Sequence, residues 1–288
     1  MPAFNESIFI REAVASVALE AASNNLELIA VDDFSTDSTW EILQLLKKEY
    51  DFLKVYKNQV KGKNSAFNLA YTKATGDIVV LLAADDTLVP GVLKKRIEPL
   101  IDRNDFSITY CKLKTFSNIK KLDSIVTPKD KNLGSSSGGT MAITRVFSDR
   151  IFPIPETLAN EDMWINCHAQ YNNNVEIIHI PVVGLNYRLH ENNSLKRNVG
   201  FTVASTQIHK RSIVYSVFLE QYRTELADSY LDDLARRSAL EQLRWDGSVL
   251  SILFFKGISV REKLRAFIYS NNFSYSIYSY LYRWLTLG

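Results

Sequence analysis

The chain has 288 residues, of which 46% are hydrophobic and 23% charged, a composition typical of a folded globular protein and not of a disordered one. Its formal net charge of +2 gives no overall attraction to nucleic acid, so we expect no nucleic-acid partner. The two cysteines lack the spacing of a metal site or a disulfide scaffold and favour a reducing compartment. No signal peptide and no apolar run of ~20 residues is visible, so we expect a cytoplasmic protein.

Helical and strand patterns alternate from the start of the chain. Apolar residues recur at helical spacing over residues 8–22, 39–50 and 64–75, and apolar strand patterns cover residues 26–31, 53–56 and 78–82. This alternation predicts a doubly wound sheet of parallel strands flanked by helices. Such a sheet should open with a strand, and Met1 to Phe4 supply a short piece of one, so we expect the first strand to be truncated.

The second half of the chain has a different pattern. Strand patterns cover residues 106–111, 112–116, 140–144, 175–180 and 183–188, a helix is expected at 161–170, and the Gly/Ser run at 134–139 predicts a mobile loop. From residue 201 the pattern is mostly helical. We therefore predict a first domain over residues 1–200 and a helical extension over residues 201–288.

Two acidic pairs follow predicted strands. Asp32 and Asp33 come after the strand predicted to end at Val31, and Asp85 and Asp86 come after the apolar run of residues 78–82. Ligands of open α/β sheets bind outside the carboxyl ends of the strands. Adjacent buried carboxylates need a cation or a raised pKa, and Mg²⁺ or Mn²⁺ would bridge them to a pyrophosphate. The alternative is a solvated polar strand end.

Other candidate residues lie further along the chain. Lys63 precedes a helix, where it would either attract a nucleotide or form part of a solvated basic loop. Glu161 and Asp162 lie at the start of a predicted helix. Acidic residues are also common there for a purely structural reason, because they interact favourably with the helix dipole. Trp164 would stack on a sugar, and His190 is a candidate metal ligand.

Taken in order, the motifs resemble those of the family 2 glycosyltransferases, which are inverting enzymes of the GT-A fold. The resemblance covers residues 2–194 and rests on Pro2-Ala3-Phe4-Asn5-Glu6, on residues 31–39, on residues 64–70 followed by 74–77, on Ala84-Asp85-Asp86 and on Glu161-Asp162. It implies an open mixed sheet flanked by helices, with a C-terminal helical extension. Phe34 and Phe67 replace residues that are usual in the family, so contacts with the base are expected to differ.

The resemblance also implies a role for each matching residue. Asp162 would be the general base, and Asp86 and His190 would ligate Mn²⁺ or Mg²⁺. Glu161 and Trp164 would border the acceptor or sugar pocket. The implied donor-binding residues are Pro2, Ala3, Glu6, Asp33, Lys63, Asp85 and Asp86.

The expected function is transfer of a sugar from a nucleotide-diphosphate donor, a UDP-sugar, to a hydroxyl of a saccharide or lipid-linked acceptor in cell-surface polysaccharide synthesis. One alternative is a truncated or inactive domain that only binds nucleotide, which the short first strand suggests. A second is a sugar nucleotidyltransferase, but the Gly-rich basic phosphate loop that this reaction requires near the N-terminus is not present in the sequence.

The last part of the chain is basic and aromatic. Residues 251–288 carry five Lys or Arg residues and one Glu, interleaved with apolar stripes that include Leu264 and Ile277. These stripes either pack on the first domain or lie on an anionic membrane surface, and we favour the second interpretation. It would place the protein peripherally on the inner face of the cell membrane.

Overall fold

The computed structural model describes residues 1–21, 24–117, 120–190 and 199–287, and of residues 282–287 it describes the backbone alone. The chain divides into two compact units, Met1–His190 and Glu191–Gly288. The predicted division into functional domains at residue 200 stays a prediction.

The strands of the described residues all belong to the first unit. They are β1 (Pro2–Ala3), β2 (Leu28–Asp32), β3 (Leu53–Lys57), β4 (Ile78–Val80), β5 (Thr87–Leu88), β6 (Ser107–Ser117), β7 (Val126–Thr127), β8 (Met141–Thr144) and β9 (Glu176–Leu189). They form a three-stranded parallel sheet in the order β1-β2-β3 and a six-stranded sheet in the order β4-β8-β6-β9-β5, with β7 added beside β6.

The open mixed sheet flanked by helices is confirmed. The parallel sheet expected in the first part of the chain is present for β1, β2 and β3, but β4 lies in the second sheet instead. In the second sheet β8 runs antiparallel to both β4 and β6, and β9 runs antiparallel to β5. Parallel pairing requires a crossover connection, and in this sheet β6 and β9 are parallel, with two α-helices between them in the chain. The strands predicted separately on either side of Cys111 form one strand, β6, whose register shifts there.

The helices of the first unit flank the sheets, and the described part of the second unit is helical, as predicted. The first-unit helices are α1 (Ile10–Ala21), α2 (Thr39–Glu49), α3 (Lys63–Lys73), α4 (Leu93–Ile97), α5 (Arg145–Ile151) and α6 (Glu161–Gln170). The second-unit helices are α7 (Phe201–Ser212), α8 (Val214–Tyr222), α9 (Asp228–Trp245), α10 (Val249–Phe254), α11 (Val260–Ile268) and α12 (Asn272–Leu287). Over the described ranges, we find no helix with the length and apolar character to cross a membrane.

The core of the first unit follows from the sequence pattern. All five residues of β2 are buried, and α1 buries the face that carries Ile10, Ala13, Val14 and Val17. These positions are three or four residues apart, so they form one stripe on the helix. Full burial of one Val or Ile side chain stabilises the fold by ~1.5–3 kcal/mol. This packing fixes the start of α1 and the end of β2, which border the candidate site.

A cavity of about 980 Å³ is lined by β2 and β4 together. Among the strand pairings of the described residues, β1 meets β2 at Val31 and Asp32, and β4 is paired with β8. The buried amino group of Met1 donates to the carbonyl oxygen of Ile29 at 2.8 Å. We infer that the backbone groups of β2 before Val31, which β1 does not reach, face the cavity. The same holds for the edge of β4 that is not paired with β8.

An engineered extension of β1 should therefore stabilise the protein. About five β-branched residues placed ahead of Met1 would add roughly 16 Å of strand. Their backbone would pair with β2 at Ile29 and Leu28, and their side chains would fill the cavity, so we expect the melting temperature to rise by several degrees. An extension of equal length containing prolines, which cannot donate backbone hydrogen bonds, is the control. Equal melting temperatures for the two extensions would contradict this assignment of the strand edges.

Candidate active site

The turn that carries Asp85 and Asp86 lies between β4 and β5. Asp86 is 2% exposed, and its Oδ1 accepts a hydrogen bond from the backbone N–H of Arg188 at 2.8 Å. The Oδ2 of Asp85 lies 3.0 Å from Nε2 of His190. His190, which directly follows the end of β9, thus lies beside the acidic pair.

The environment of Asp86 disfavours its charge. Burial raises the pKa of Asp86 well above its ordinary value, and the neighbouring charge of Asp85 raises it further. The backbone N–H of Arg188 and the charges of Lys63 and Arg188 act in the opposite direction. A cation placed against this turn would relieve the repulsion between the two carboxylates.

Glu6 adds a third acidic group to this site. Its pKa is raised to about 8, first by burial and then by the charges of Asp85 and Asp37, while Arg188 acts in the opposite direction. Pro2 and Ala3 lie just before it in β1, and the carbonyl oxygen of Ala3 accepts from the backbone N–H of Asp33 at 2.8 Å. The N-terminal segment and the end of β2 therefore border the same site.

The polar segment after Asp33 holds the N-terminal segment in place. Ser35 Oγ accepts from the backbone N–H of Asn5 at 3.0 Å, and Asp37 Oδ2 accepts from that of Ser7 at 3.1 Å. Thr39 Oγ1 accepts from the backbone N–H of Glu6 at 2.8 Å. This structural role was not evident from the sequence, because it depends on contacts about 30 residues apart.

The carboxylate of Asp33 holds the loop that precedes α3. It is buried and accepts hydrogen bonds from Asn58 Nδ2 and from the backbone N–H of Gly62, both at 2.8 Å. Gly62 is the residue immediately before Lys63, the first residue of α3. Asp33 thereby fixes the position from which Lys63 extends.

Lys63 connects this part of the site with the start of α6. Its Nζ lies 2.8 Å from Oε2 of Glu161. Burial alone would lower the pKa of Lys63, but the charge of Glu161, followed by those of Asp162 and Asp85, raises it. The ammonium group is therefore positioned among acidic side chains from both sides of the candidate site.

Asp162 lies in the first turn of α6 and is half-buried. Its Oδ1 accepts from the backbone N–H of Met163 at 2.7 Å, and its carbonyl oxygen accepts from Nδ2 of Asn166 at the same distance. The indole of Trp164, by contrast, is fully buried and donates to the carbonyl oxygen of Ile151 at 2.9 Å. A buried ring has no face for a sugar, so we leave Trp164 out of the proposed pocket.

The Gly/Ser run at 134–139 is a packed segment and not the mobile loop that its composition suggested. Ser135 donates to the carbonyl oxygen of Cys111 at 2.8 Å. A Cβ on Gly134 would lie 1.9 Å from the carbonyl oxygen of Tyr110, and one on Gly138 would lie 2.6 Å from Oε1 of Glu161. The glycines therefore permit close approach, and Gly138 covers the Lys63–Glu161 pair.

The protein offers only a few ligands for the metal expected at this site, but their chemistry suits Mg²⁺ or Mn²⁺. Across the described ranges, no group of three or more His, Cys, Asp and Glu residues is arranged to hold a metal ion. Mg²⁺ bound with a nucleotide commonly takes one or two carboxylates and completes its shell with phosphates and water. Asp86, with His190 beside Asp85, fits such a partial set.

Sequence reasoning missed the importance of Arg188. Its Nε donates to the carbonyl oxygen of Asp85 at 2.8 Å, and its guanidinium also pairs with Glu12. The available signal was its position, two residues before His190 at the end of a predicted strand. Nothing in the local pattern, however, showed that this strand end meets Asp85.

The pH dependence of stability tests the acidic site. The pKa of Glu6 rises from 4.5 to about 8 on folding, so the folded state binds the proton more tightly and stability is lost as the pH rises through this range. We expect Glu6→Gln to raise the melting temperature at pH 8 and to change it little at about pH 4. Thermal unfolding at both pH values measures this.

Asp37→Asn is a second variant with the opposite expected sign, and it also removes one of the charges that raise the pKa of Glu6. Hydrogen bonds from Thr39 and Ser7 outweigh the desolvation of Asp37 and lower its pKa, so its ionised form stabilises the fold at pH 8, and this substitution should lower the melting temperature there. If Glu6→Gln and the wild type lose stability equally between the two pH values, the placement of Glu6 among these carboxylates is wrong.

Comparison with known proteins gives the family and the fold. The chain is 32% identical over 108 residues to a dolichol-phosphate mannosyltransferase of Pyrococcus furiosus, covering 38% of this chain and 31% of the relative. It is 26% identical over 183 residues to a GalNAc(5)-diNAcBac-PP-undecaprenol beta-1,3-glucosyltransferase of Campylobacter jejuni, covering 59% of each chain. The chain thus spans less than two thirds of the length of both relatives.

Solved structures share the fold at low identity. A Staphylococcus aureus TarS fragment, residues 1–349 in complex with UDP-GlcNAc, aligns with a TM-score of 0.58 at 17% identity over 93% of this chain and 77% of that one. The mannosyltransferase PcManGT from Pyrobaculum calidifontis, in complex with GDP-Man and Mn²⁺, aligns with a TM-score of 0.60 at 15% identity over 96% and 85%. These structures confirm the GT-A fold.

The family model described as Glycosyl transferase family 2 matches residues 1–151 of the 288. This match covers more than half of the chain, and it includes both acidic strand ends and the segment that holds Glu6. It confirms the resemblance of the motifs and the predicted class of enzyme. The chain belongs to glycosyl transferase family 2, a family of sugar-transferring enzymes.

Proposed function

We propose that the protein transfers a sugar from a UDP-sugar to an acceptor hydroxyl, with inversion at the anomeric carbon. The observation that carries this proposal is the position of the Lys63 ammonium, which pairs with Glu161 at the start of α6 and is attracted by Asp162 and Asp85. The Lys63 ammonium thus lies between a carboxylate pair suited to a metal–diphosphate, Asp85 and Asp86, and a carboxylate suited to be a base, Asp162.

A divalent cation is part of this proposal. Asp86 would hold Mn²⁺ or Mg²⁺ with the donor diphosphate, and His190, which lies 3.0 Å from Asp85, is placed to complete or to orient the ligand set. When bound, the ion would stabilise the charge that develops on the leaving diphosphate. The Mn²⁺ in the PcManGT complex supports this choice of ion.

The donor-binding residues of the chain have distinct tasks in this proposal. Pro2, Ala3 and Asp33 border the nucleotide, and Asp33 does so while it holds the loop before Lys63. Glu6, whose pKa is raised to about 8 in the metal-free protein, would in its protonated form donate a hydrogen bond to the nucleotide. Asp85 would accept from a hydroxyl group of the ribose or of the sugar.

Proton removal from the acceptor is assigned to Asp162. The acceptor hydroxyl must lose a proton as its oxygen attacks, and a carboxylate within hydrogen-bond reach contributes ~10²–10⁴-fold. The bond from Met163 N–H to Asp162 Oδ1 fixes one oxygen of this carboxylate. The Lys63–Glu161 pair shields it from the negative charge of the diphosphate, and inversion follows from attack on the face opposite that diphosphate.

The acceptor is proposed to be a saccharide or a lipid-linked saccharide. Support comes from the relatives, since the WfgD protein of Escherichia coli, 25% identical over 66% of this chain and 75% of its own length, is named a UDP-Glc:alpha-D-GlcNAc-diphosphoundecaprenol beta-1,3-glucosyltransferase. Transfer to such an acceptor would serve cell-surface polysaccharide synthesis at the inner face of the membrane.

The second unit would bring the enzyme to that surface. Phe254, Val260 and Phe273 are each at least 78% exposed, and the exposed basic residues Lys256 and Arg261 lie close to them in the chain. Apolar side chains together with basic ones favour adsorption to anionic lipid. The side chains of Arg283 and Trp284 lie outside the described residues.

Substitution of the two key carboxylates tests the reaction. With Mn²⁺ and a panel of UDP-sugars, we expect Asp162→Asn to lower kcat by ~10²–10⁴-fold and to leave binding of Mn²⁺–UDP intact, because the base does not contact the nucleotide. Asp86→Asn should weaken Mn²⁺–UDP binding itself. Asp51→Asn, at an exposed turn, is the matched control and should leave both quantities unchanged. UDP release and calorimetric titration are the measurements, and full turnover in both site variants would refute the assignment.

Vesicle binding tests the membrane proposal separately. We expect the protein to sediment with phosphatidylglycerol vesicles, and less so with phosphatidylcholine vesicles or at high salt. Reversal of charge in Lys256→Glu/Arg261→Glu should weaken binding by more than about tenfold, since each basic residue near an anionic surface contributes ~1 kcal/mol. Lys47→Glu/Lys48→Glu in α2 makes the same charge change in the first unit and should have little effect. Equal binding by both double variants would exclude the second unit as the docking surface.

A further inference from the structure

Arg188 makes three kinds of contact at the acidic turn. Its backbone N–H donates to Asp86 Oδ1 and its Nε donates to the carbonyl oxygen of Asp85, both at 2.8 Å. Its guanidinium also pairs with the carboxylate of Glu12 in α1. A single residue near the end of β9 is therefore bonded to both halves of the Asp85–Asp86 turn and to the helix that follows Glu6.

Two aromatic rings hold the guanidinium in one orientation. Its central carbon lies 4.4 Å from the ring centroid of Phe9 and 4.1 Å from that of Phe116, and the side chain is 15% exposed. The ring of Phe9 also lies 5.0 Å from that of His190. The stacked guanidinium thus shares a packing partner with His190, which contacts Asp85 directly.

We propose that Arg188 is the positioning residue of the donor site, which fixes the direction of the Asp85 and Asp86 carboxylates by holding the main chain between them. This inference rests on the proposed function of the same turn. Arg188 does not contact the nucleotide in this role. It acts through Asp86, whose carboxylate must point to the metal–diphosphate, and through Asp85, whose carboxylate must point to the ribose or the sugar.

The geometry requires an arginine and not merely a positive charge. The planar guanidinium stacks between two rings and directs Nε at one carbonyl oxygen, whereas its pair with the exposed Glu12 contributes little to this orientation. A lysine keeps the charge but has neither the plane to stack nor the fixed second donor. Arg188→Lys therefore separates the positioning role from simple charge compensation.

The test measures binding of UDP in the presence of Mn²⁺ by calorimetry on the full chain, together with the melting temperature of the unliganded protein. We expect Arg188→Lys to weaken Mn²⁺–UDP binding by ~10–100-fold, as is typical when a residue that orients a metal ligand is replaced. Where turnover is measured, KM for the donor should rise more than kcat falls. Unchanged binding in Arg188→Lys would overturn the proposal.

Two control variants separate this role from general loss of stability. Arg103→Lys removes a similar ion-paired arginine, which contacts Asp105 and Glu176, and Glu176 is roughly 40 Å along β9 from Arg188 at ~3.3 Å per residue. Glu12→Gln removes the half-exposed partner of Arg188 and leaves its other contacts. Both should keep binding within about twofold, because exposed ion pairs contribute little. Losses in these controls equal to that of Arg188→Lys would also overturn the proposal.

Phe116→Leu decides the case if Arg188→Lys does not fold. It keeps the arginine and removes one of the two stacking rings, so binding should weaken by less than in Arg188→Lys but beyond the twofold range of the controls, whereas unchanged binding overturns the proposal. Failure of the wild-type protein itself to bind Mn²⁺–UDP would refute the proposed function, which is a different result from normal wild-type binding with no effect of Arg188→Lys.

Discussion

The presence of two adjacent carboxylates at one turn, with Asp86 buried and Asp85 half-buried, is the constraint on which the rest of the site depends. Asp86 is 2% exposed, and a charge removed from water at that depth is costly unless opposite charge or hydrogen bonds compensate it. The compensating groups are Arg188, more than 100 residues later at the end of β9, and Lys63 at the start of α3. The sheet and the helix must therefore be in place before the acidic turn is stable, and the site is a product of the tertiary structure.

A second set of contacts makes the site rigid on its N-terminal side. Backbone N–H groups of residues 5–7 donate to side chains of residues 35–39, so the segment carrying Glu6 has no freedom to move away from Asp85. Burial is the largest cause of the raised pKa of Glu6, and the charges of Asp85 and Asp37, which this rigid segment keeps close, raise it further. A flexible segment would weaken both effects by letting Glu6 move toward water.

The parts of this structure that local pattern determines were predictable from the sequence. Hydrophobic periodicity gave β2, the early helices and the helical second unit, and the acidic strand ends marked the site. The remainder depends on contacts distant in the sequence. The Gly/Ser run has the composition of a mobile loop, yet Tyr110 packs so closely against Gly134 that only glycine fits. Trp164 follows an acidic pair, as a sugar-stacking residue would, yet helical geometry turns its ring into the core. No local signal showed that Arg188 meets Asp85.

Adjacent acidic residues acquire different roles because their surroundings differ, and this applies to Glu161 and Asp162. The Glu161 side chain is 7% exposed, pairs with Lys63 and is covered by Gly138, where a Cβ would lie 2.6 Å from its Oε1. Such a carboxylate is held in its ionic contact and is not available to accept a proton from an incoming hydroxyl. Successive residues of a helix point about 100° apart, so the half-buried carboxylate of Asp162 has a different direction from that of Glu161, although its charge still acts on Lys63. The ion pair of the first acid is thus what leaves the second as the proposed base.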